Sequence, residues 1–359
     1  MASPESTFDE LVRRWHTGTF TVESNRLHDV APLEPADVQH LPPTGSPEYE
    51  QLEARGRQAL EVGEVGAVIL AGGMATRFDY DQPKGLFPIL EGKSFLQLKI
   101  EWLTETAPTM PIFIMTSFHT DEAIRAHLLE HDYFGAGPGQ IECFVQNKFP
   151  RLTPDGALFA PDDPAEAFAA PGHGDFPLAL RRSGLLDRFL QSGGRYLLFS
   201  NVDNLGASAE PAIIGRHIES GCDMTIEVAT KAPGDKGGAP ARVGGRVQLV
   251  EGFAFPEDFD HDAIPVFNTA SYVFTAEALT RQHDLPWYVV EKKVDGATVI
   301  QFEHLAGDLS RTLSVALLAV DRDERFIPVK SQSDVPAAQD LIRQKLERRS
   351  AHGSGATQG

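Results

Sequence analysis

Apolar residues in this chain fall into short runs separated by stretches with helical spacing, and that alternation predicts most of its elements. Val65 to Leu70 is an unbroken apolar run closed by Gly72 and Gly73, the pattern of a buried strand entering a loop. Ser94 to Gln97 has the form of a capping box, with Ser94 at the N-cap, Gln97 at N3 and helix running on towards Leu103. A second strand is expected over 111–116. It is followed by a helix from His119 to Glu130 with Ile124, Leu128 and Leu129 on one face, and a third strand over 141–145. The same rhythm continues with a helix over 178–190, a strand over 196–200, a helix over 211–219 and a strand over 224–229. A hairpin is expected around Gly244 and Gly245, strand-like stretches at 266–274 and 315–320, and a closing helix at 337–349.

Alternating βα units imply an α/β fold in three layers, a mostly parallel mixed sheet flanked by helices on both faces. In such sheets ligands bind beyond the carboxyl ends of the strands, so the polar residues that follow strands carry the interest. At the N-terminus, Phe8, Leu11, Val12 and Trp15 have the spacing of an amphipathic helix packed on a larger body. Residues 30–48, rich in proline, read as an extended connection over the surface. The expected division is an extension over 1–60, one main domain over 61–335, and a C-terminal helix and tail over 336–359. The Gly/Ser-rich residues 351–359 are expected to be disordered.

Composition narrows the partners. The chain has 42% apolar and 23% charged residues and a net charge of −19. Binding to nucleic acid or to an anionic membrane surface needs a positive field, so neither is expected. A few lysines and arginines converging on one pocket can still hold phosphates. Cys143 and Cys222 form no CxxC or metal-like spacing and read as reduced core thiols, which favours the cytoplasm. No signal-peptide h-region or membrane-length apolar run is present in the sequence.

The chemistry-bearing segment begins at Ala71. Gly72 and Gly73 follow a strand, Arg77 and then Pro83-Lys84 follow them, and this is neither GxxxxGK[ST] nor GxGxxG. Paired glycines let backbone N–H groups approach phosphate oxygens, and Arg77 and Lys84 add positive charge there. The segment resembles the GGxGTR…PK loop of sugar-nucleotide pyrophosphorylases. Further blocks lie in the order of the eukaryote-type UDP-sugar pyrophosphorylases, the family of UTP–glucose-1-phosphate uridylyltransferases. They are Gln146 in 144–152, Pro171-Gly-His-Gly-Asp175, Ser200-Asn-Val-Asp-Asn-Leu-Gly206, Asn268-Thr-Ala270, 299–303 and Arg325 to Asp334.

The resemblance covers roughly 60–340 and implies roles residue by residue. Ala71, Gly72, Gly73, Gln146 and Gly172 bind the nucleotide, with the Gln146 amide reading uracil. His173, Asn201, Asn268, Glu303 and Phe326 contact sugar or phosphate, and Asp203 holds Mg²⁺. Lys84, Lys330 and Arg77 act on the reacting phosphates. The implied substrates are UTP and a sugar 1-phosphate, with glucose 1-phosphate favoured by the PGHGD block, in a monomer or small oligomer. Two positions depart from the family pattern. Ala75 stands where a glycine is usual, and an alanine with positive φ there is strained by about 1 kcal/mol or more. Ala270 stands in place of a second asparagine. These departures keep two alternatives open: a UDP-N-acetylhexosamine or broad-specificity enzyme, and a non-catalytic sugar-nucleotide-binding regulator. A glycosyltransferase would carry Asp-x-Asp where this chain has Asn201-Val-Asp203. The C-terminal left-handed β-helix domain of larger members is expected to be lacking.

Overall fold

A computed structural model of the chain describes residues 4–232, 235 and 237–353. Its centre is an eight-stranded sheet. In chain order the strands are β1 (Val38–His40), β2 (Val65–Leu70), β3 (Ile112–Thr116), β4 (Ile141–Val145), β5 (Tyr196–Asn201), β6 (Met224–Thr230), β7 (Val266–Thr275) and β8 (Val315–Ala319). Across the sheet they run β1-β8-β6-β7-β5-β2-β3-β4. All neighbours pair in parallel except β7, which is antiparallel to both β5 and β6.

Side chains alternate across this sheet with the two-residue period of strands, and each face feeds its own core. Val68, Leu70, Phe113 and Met115 pack with Phe176, Leu180, Leu186 and Phe189 from the helices Phe176–Arg182 and Leu185–Gln191. Val65, Ala67, Ile69, Ile112 and Ile114 pack on the opposite face. Their partners come from the helices Pro47–Glu61, Phe95–Thr106, Asp121–Glu130, Pro211–Ser220 and Val335–Gly353. The result is the three-layer, mostly parallel α/β architecture expected from the sequence. The N-terminal helix Pro4–His16 buries Phe8 and Leu11 in a third cluster, against Phe149, Leu152, Val289, Ile300 and Phe302.

Several details differ from the sequence expectation. Within 30–48, residues 38–40 leave the surface path and join the sheet as its edge strand, pairing with β8. The helix Pro47–Glu61 was not foreseen; Ser46 caps it by accepting the Tyr49 N–H. It packs on helix Pro211–Ser220 through glycine. A Cβ on Gly56 would stand 1.9 Å from the Pro211 carbonyl oxygen, and one on Gly215 would stand 1.9 Å from that of Leu52. The helix expected over 178–190 is two helices broken at Gly184, whose φ is +76°. Leu129 is 71% exposed, because it lies off the Ile124–Leu128 face. Ser94 does cap its helix by accepting the Gln97 N–H, but the Gln97 side chain donates forward to Glu101 rather than back, so the box is half formed. Helix Val335–Gly353 runs through the first three residues of the expected disordered tail; 354–359 lie outside the described residues. Both cysteines are free thiols and only half-buried, and burial pushes the Cys143 thiol up to about 11.

Candidate active site

Pairing across the sheet places the ends of several strands along one edge. Leu70 stands opposite Asn201 and Met115, Thr116 opposite Val145, and Val228 opposite Asn268 at the start of antiparallel β7. The loops that leave these positions carry most of the residues singled out in the sequence.

The glycine loop after β2 is fixed on both sides. The Ala71 N–H donates to the Met115 carbonyl (2.8 Å), and the Ser117 hydroxyl donates to the Gly72 carbonyl (2.9 Å). Residues 73–84 fold back on themselves, with the Lys84 N–H donating to Gly73 and the Ala75 N–H to Gln82. Lys84 thereby returns beside the glycines. Its ammonium pairs with the Asp203 carboxylate, which follows β5, and lies 5.4 Å from the centre of the Phe78 ring. Ala75 has φ −91° and is 1% exposed, so this position does not demand glycine and the strain considered for it does not arise. Arg77, in a helical turn over Thr76–Phe78, is exposed.

Gln146 leaves β4 at the same edge and is 8% exposed. Its amide lies against Gly72: a Cβ there would stand 2.3 Å from Gln146 Nε2. The next residue ties this segment to the PGHGD block. The Asn147 backbone N–H donates to one Asp175 carboxylate oxygen (2.7 Å) and its side-chain amide donates to the other (2.8 Å). Burial raises the Asp175 pKa, and the Asn147 bonds pull it back. Gly172, at φ +87°, has the His304 carbonyl oxygen 2.4 Å from where its Cβ would be, and Glu303 beside it. Only glycine combines that angle with that approach.

His173 Nδ1 accepts the Ala306 N–H (2.9 Å), which leaves the proton on Nε2. Burial lowers its pKa to about 4, so at neutral pH the ring offers one N–H and no charge. His304, which lies in no motif of the sequence, stacks on Trp287 with ring centres 4.1 Å apart and 9° between planes. Its Nε2 lies 3.9 Å from Asp175, and burial, with the neighbouring His173, lowers its pKa to about 3.

Asp203 is held in place through Asn204, its neighbour in the chain. The Asn204 amide donates to the Arg325 carbonyl (3.2 Å) and accepts the Ile327 N–H (3.0 Å), gripping the backbone on both sides of Phe326. Lys99, fully enclosed, donates to the carbonyls of Asn204 and Ala207 (2.7 Å each), and burial pushes its ammonium down to about 7. Arg325 and Glu227 form a buried bidentate pair (2.7 and 2.6 Å) beneath the same segment. The sequence marked Asp203 and Phe326; their supports Asn204, Lys99 and Glu227 became visible only through contacts distant along the chain.

The residues expected on the sugar side are less uniformly presented. The Phe326 ring packs edge-on against Phe267 with centres 4.8 Å apart. The Asn268 amide is engaged internally, donating to the Tyr272 hydroxyl and accepting the Ala270 N–H (2.9 Å each). Ala270 has φ +56°, so the left-handed residue is here and not at Ala75. Glu303 accepts from Gln301. Lys330 is exposed, its backbone N–H donating to Asp334 and its charge acting on Asp235. Among the described residues no hydrogen bond or ion pair joins Lys330 to Lys84 or Asp203, and none joins Arg77 to them.

A single carboxylate, Asp203, with the Asn201 amide two residues before it, suits a hard cation that takes oxygen ligands and completes its shell from phosphates and water. Together with Lys84 and the glycine backbone, it forms an edge that can hold a polyphosphate and offset its charge.

The protein-family model described as UTP–glucose-1-phosphate uridylyltransferase matches residues 18–347. The chain is 30% identical over 318 residues to the UTP–glucose-1-phosphate uridylyltransferase of Saccharomyces cerevisiae, covering 82% of this chain and 63% of that protein. It spans 63%, 56% and 61% of the first three curated relatives it matches. Its fold is similar to that of the UDP-N-acetylglucosamine pyrophosphorylase of Trypanosoma brucei, with a TM-score of 0.77 and 22% identity over 94% of this chain and 75% of that one. It is also similar to a structure described as UDP-glucose phosphorylase from the same organism, with a TM-score of 0.75 and 24% identity over 91% and 73%.

Proposed function

Since the chain belongs to the UTP–glucose-1-phosphate uridylyltransferase family, we propose that it transfers a uridylyl group from UTP to glucose 1-phosphate, releasing pyrophosphate. The observation that carries this reading is the convergence of two contacts, Gln146 on Gly72 and Lys84 on Asp203, at one sheet edge. It joins a base-reading amide to a phosphate loop and a cation-binding carboxylate.

In this reading an oxygen of the sugar phosphate attacks the α-phosphorus of UTP. A new P–O bond forms as the bond to the β-phosphate breaks, and the electron pair leaves with pyrophosphate. The nucleophile is ionised at neutral pH, since the second phosphate pKa is about 6, so no general base is needed. Positioning and charge neutralisation carry the catalysis. The Gln146 amide, able to donate and accept together, pairs with the uracil edge. Gly172 lets the backbone lie close to the base, and Ala71, Gly72 and Gly73 cradle phosphate oxygens. Lys84 offsets charge on the departing pyrophosphate, with Arg77 closing over it. His173 donates its neutral Nε2–H to phosphate or sugar without adding charge. Lys330, in the 325–334 segment, bridges attacking and attacked phosphates. Asn201, Asn268, Glu303 and Phe326 line the sugar side.

Mg²⁺ is the proposed cofactor, held by Asp203 and substrate phosphates, where it would screen phosphate charge. We place the reaction in the cytoplasm, performed by a monomer or small oligomer without nucleic acid or membrane. Among the described residues no helix is long and apolar enough to cross a membrane.

The test is release of pyrophosphate from UTP and Mg²⁺ with a panel of sugar 1-phosphates. Glucose 1-phosphate should be turned over fastest. A preference for N-acetylglucosamine 1-phosphate would favour the second reading, which Ala270 motivates by leaving more room beside the sugar. No release with any member of the panel would leave only a binding or regulatory role.

A further inference from the structure

Helix Asp121–Glu130 ends in His127-Leu-Leu-Glu-His131, and this end is outside the site described above. Residues three and four apart share a helix face, so His127, Glu130 and His131 project together. One ligand atom from each lies within 4.8 Å of the others. From these residues we infer a binding site for a divalent transition metal of the zinc type, with two imidazoles and one carboxylate as protein ligands.

Three further features suit this. First, the second nitrogen of each ring is already engaged. His131 Nδ1 donates to the His127 carbonyl (2.9 Å), which leaves the Nε2 lone pair free. His127 Nε2 lies 3.3 Å from the Ser94 hydroxyl oxygen, which also accepts the Gln97 N–H. With the imidazole donating to that oxygen, its other nitrogen carries the lone pair. Such outer hydrogen bonds orient metal-ligating histidines and fix their tautomers.

Second, the imidazoles are braced. Asp132, Tyr133, Phe134 and Gly135 all have positive φ, between 47° and 78°, which turns the chain back sharply after the helix. Three consecutive non-glycine residues in this region are costly, and strain of this kind persists where surroundings enforce it. The turn brings the Phe134 ring to 5.6 Å from His127 and 5.4 Å from His131, while the two imidazoles lie 4.3 Å apart.

Third, the ligand set is selective. Imidazole with one carboxylate suits zinc, nickel or copper rather than magnesium, which prefers oxygen donors. His131 and Glu130 are exposed, so three protein ligands and a water make up an open tetrahedral site.

The experiment uses the full chain without an affinity tag, stripped with chelator and held in excess Mg²⁺ to occupy oxygen sites. Zn²⁺ is titrated against a chromophoric competitor, and Co²⁺ is added separately as a spectroscopic probe. One equivalent of Zn²⁺ should bind, and Co²⁺ should give the intense visible bands of a tetrahedral N/O site. His131→Asn, at an exposed ring, should weaken Zn²⁺ by at least about tenfold and abolish the Co²⁺ bands. His127→Asn with His131→Asn should remove the equivalent altogether, with circular dichroism reporting the fold. Unchanged Zn²⁺ affinity in His131→Asn, or the absence of a stoichiometric site in the unmodified chain, overturns the inference. Unchanged affinity in Glu130→Gln overturns the three-ligand set.

Discussion

Gly72 lies against Gln146 so closely that a Cβ on residue 72 would stand 2.3 Å from the glutamine amide nitrogen. Gly73 has no atom within 4 Å of its own virtual Cβ. The two glycines are therefore unlike. Gly72→Ala must push the Gln146 side chain or the loop aside, and kcat/KM for UTP should fall by about 10–100-fold, or roughly 1.4–2.7 kcal/mol. It should also lower the melting temperature, whereas Gly73→Ala should leave it unchanged. Steady-state kinetics and thermal unfolding of both variants test the contrast, and equal melting temperatures would discredit it.

Lys84 and Asp203 come from loops 119 residues apart and are ion-paired, with side chains 21% and 16% exposed. If they serve the same phosphates, removing either disables one unit. Asp203→Asn and Lys84→Met should each lower kcat by about 10²-fold or more. The double variant should be little worse than the poorer single one, as found for groups that act together. Raising Mg²⁺ should partly restore Asp203→Asn and not Lys84→Met. Multiplying losses in the double variant would instead mean independent roles.

The sheet was largely legible because buried parallel strands are continuous apolar runs, as at 65–70, and because the half-buried edge strand 141–145 still carries apolar residues at most positions; both have the limits read from the sequence. The helix 47–61 escaped notice for a physical reason. Its buried face is Leu52, Gly56, Ala59 and Leu60, so a glycine and an alanine stand where larger apolar residues would mark the stripe, and proline-rich residues precede it. Leu129 was misplaced because it lies roughly 140° around the helix from Ile124, at 100° per residue. In the site, residues that follow strands could be read in order: Gly72, Gln146 and Asp203. Their supports could not. Asp175 grips Asn147 from 28 residues away and Lys99 reaches Asn204 from 105 away, and no local pattern encodes such pairs.

The two alanines that depart from the family pattern should behave oppositely. Ala75 is buried at φ −91° among apolar neighbours, so Ala75→Gly gains no conformational relief. It should destabilise the chain by about 0.4–1 kcal/mol through the freer unfolded state. Ala270, at φ +56°, carries the left-handed penalty. Ala270→Gly should be stabilising by up to about 1 kcal/mol, and Ala270→Asn by less, since asparagine visits this region more readily than alanine. Chemical denaturation of the three variants checks both signs; a destabilised Ala270→Gly would refute the strain at this position.

Buried histidines should make the fold sensitive to acid above the ordinary carboxylate range. Burial lowers His173 and His217 to about 4 and His304 to about 3, with His173 adding to the effect at His304. An unfolded chain protonates these rings near pH 6.5. At these rings the unfolded state therefore binds more protons than the folded one between about pH 6.5 and 4, and their contribution to stability falls as pH falls. The slope is roughly 1.4 kcal/mol per pH unit for each histidine. Asp37, Asp235 and Asp334 have lowered pKa values, so their contribution is lost only further down, as pH falls below the ordinary carboxylate range. His217 isolates the effect, because it lies between the Thr225 and Thr275 hydroxyls (2.8 and 3.1 Å), away from the proposed site. His217→Gln keeps a polar partner for both threonines and removes the titration. Urea unfolding in steps from pH 7 to about 4.5 should show a slope shallower by one histidine's share in this variant. Asp308, pushed up to about 7 by burial, and Glu251 and Asp175, also raised by burial, oppose the histidine slope, so the difference between the two chains carries the test: an unchanged slope in His217→Gln would mean that this ring is not held neutral by burial.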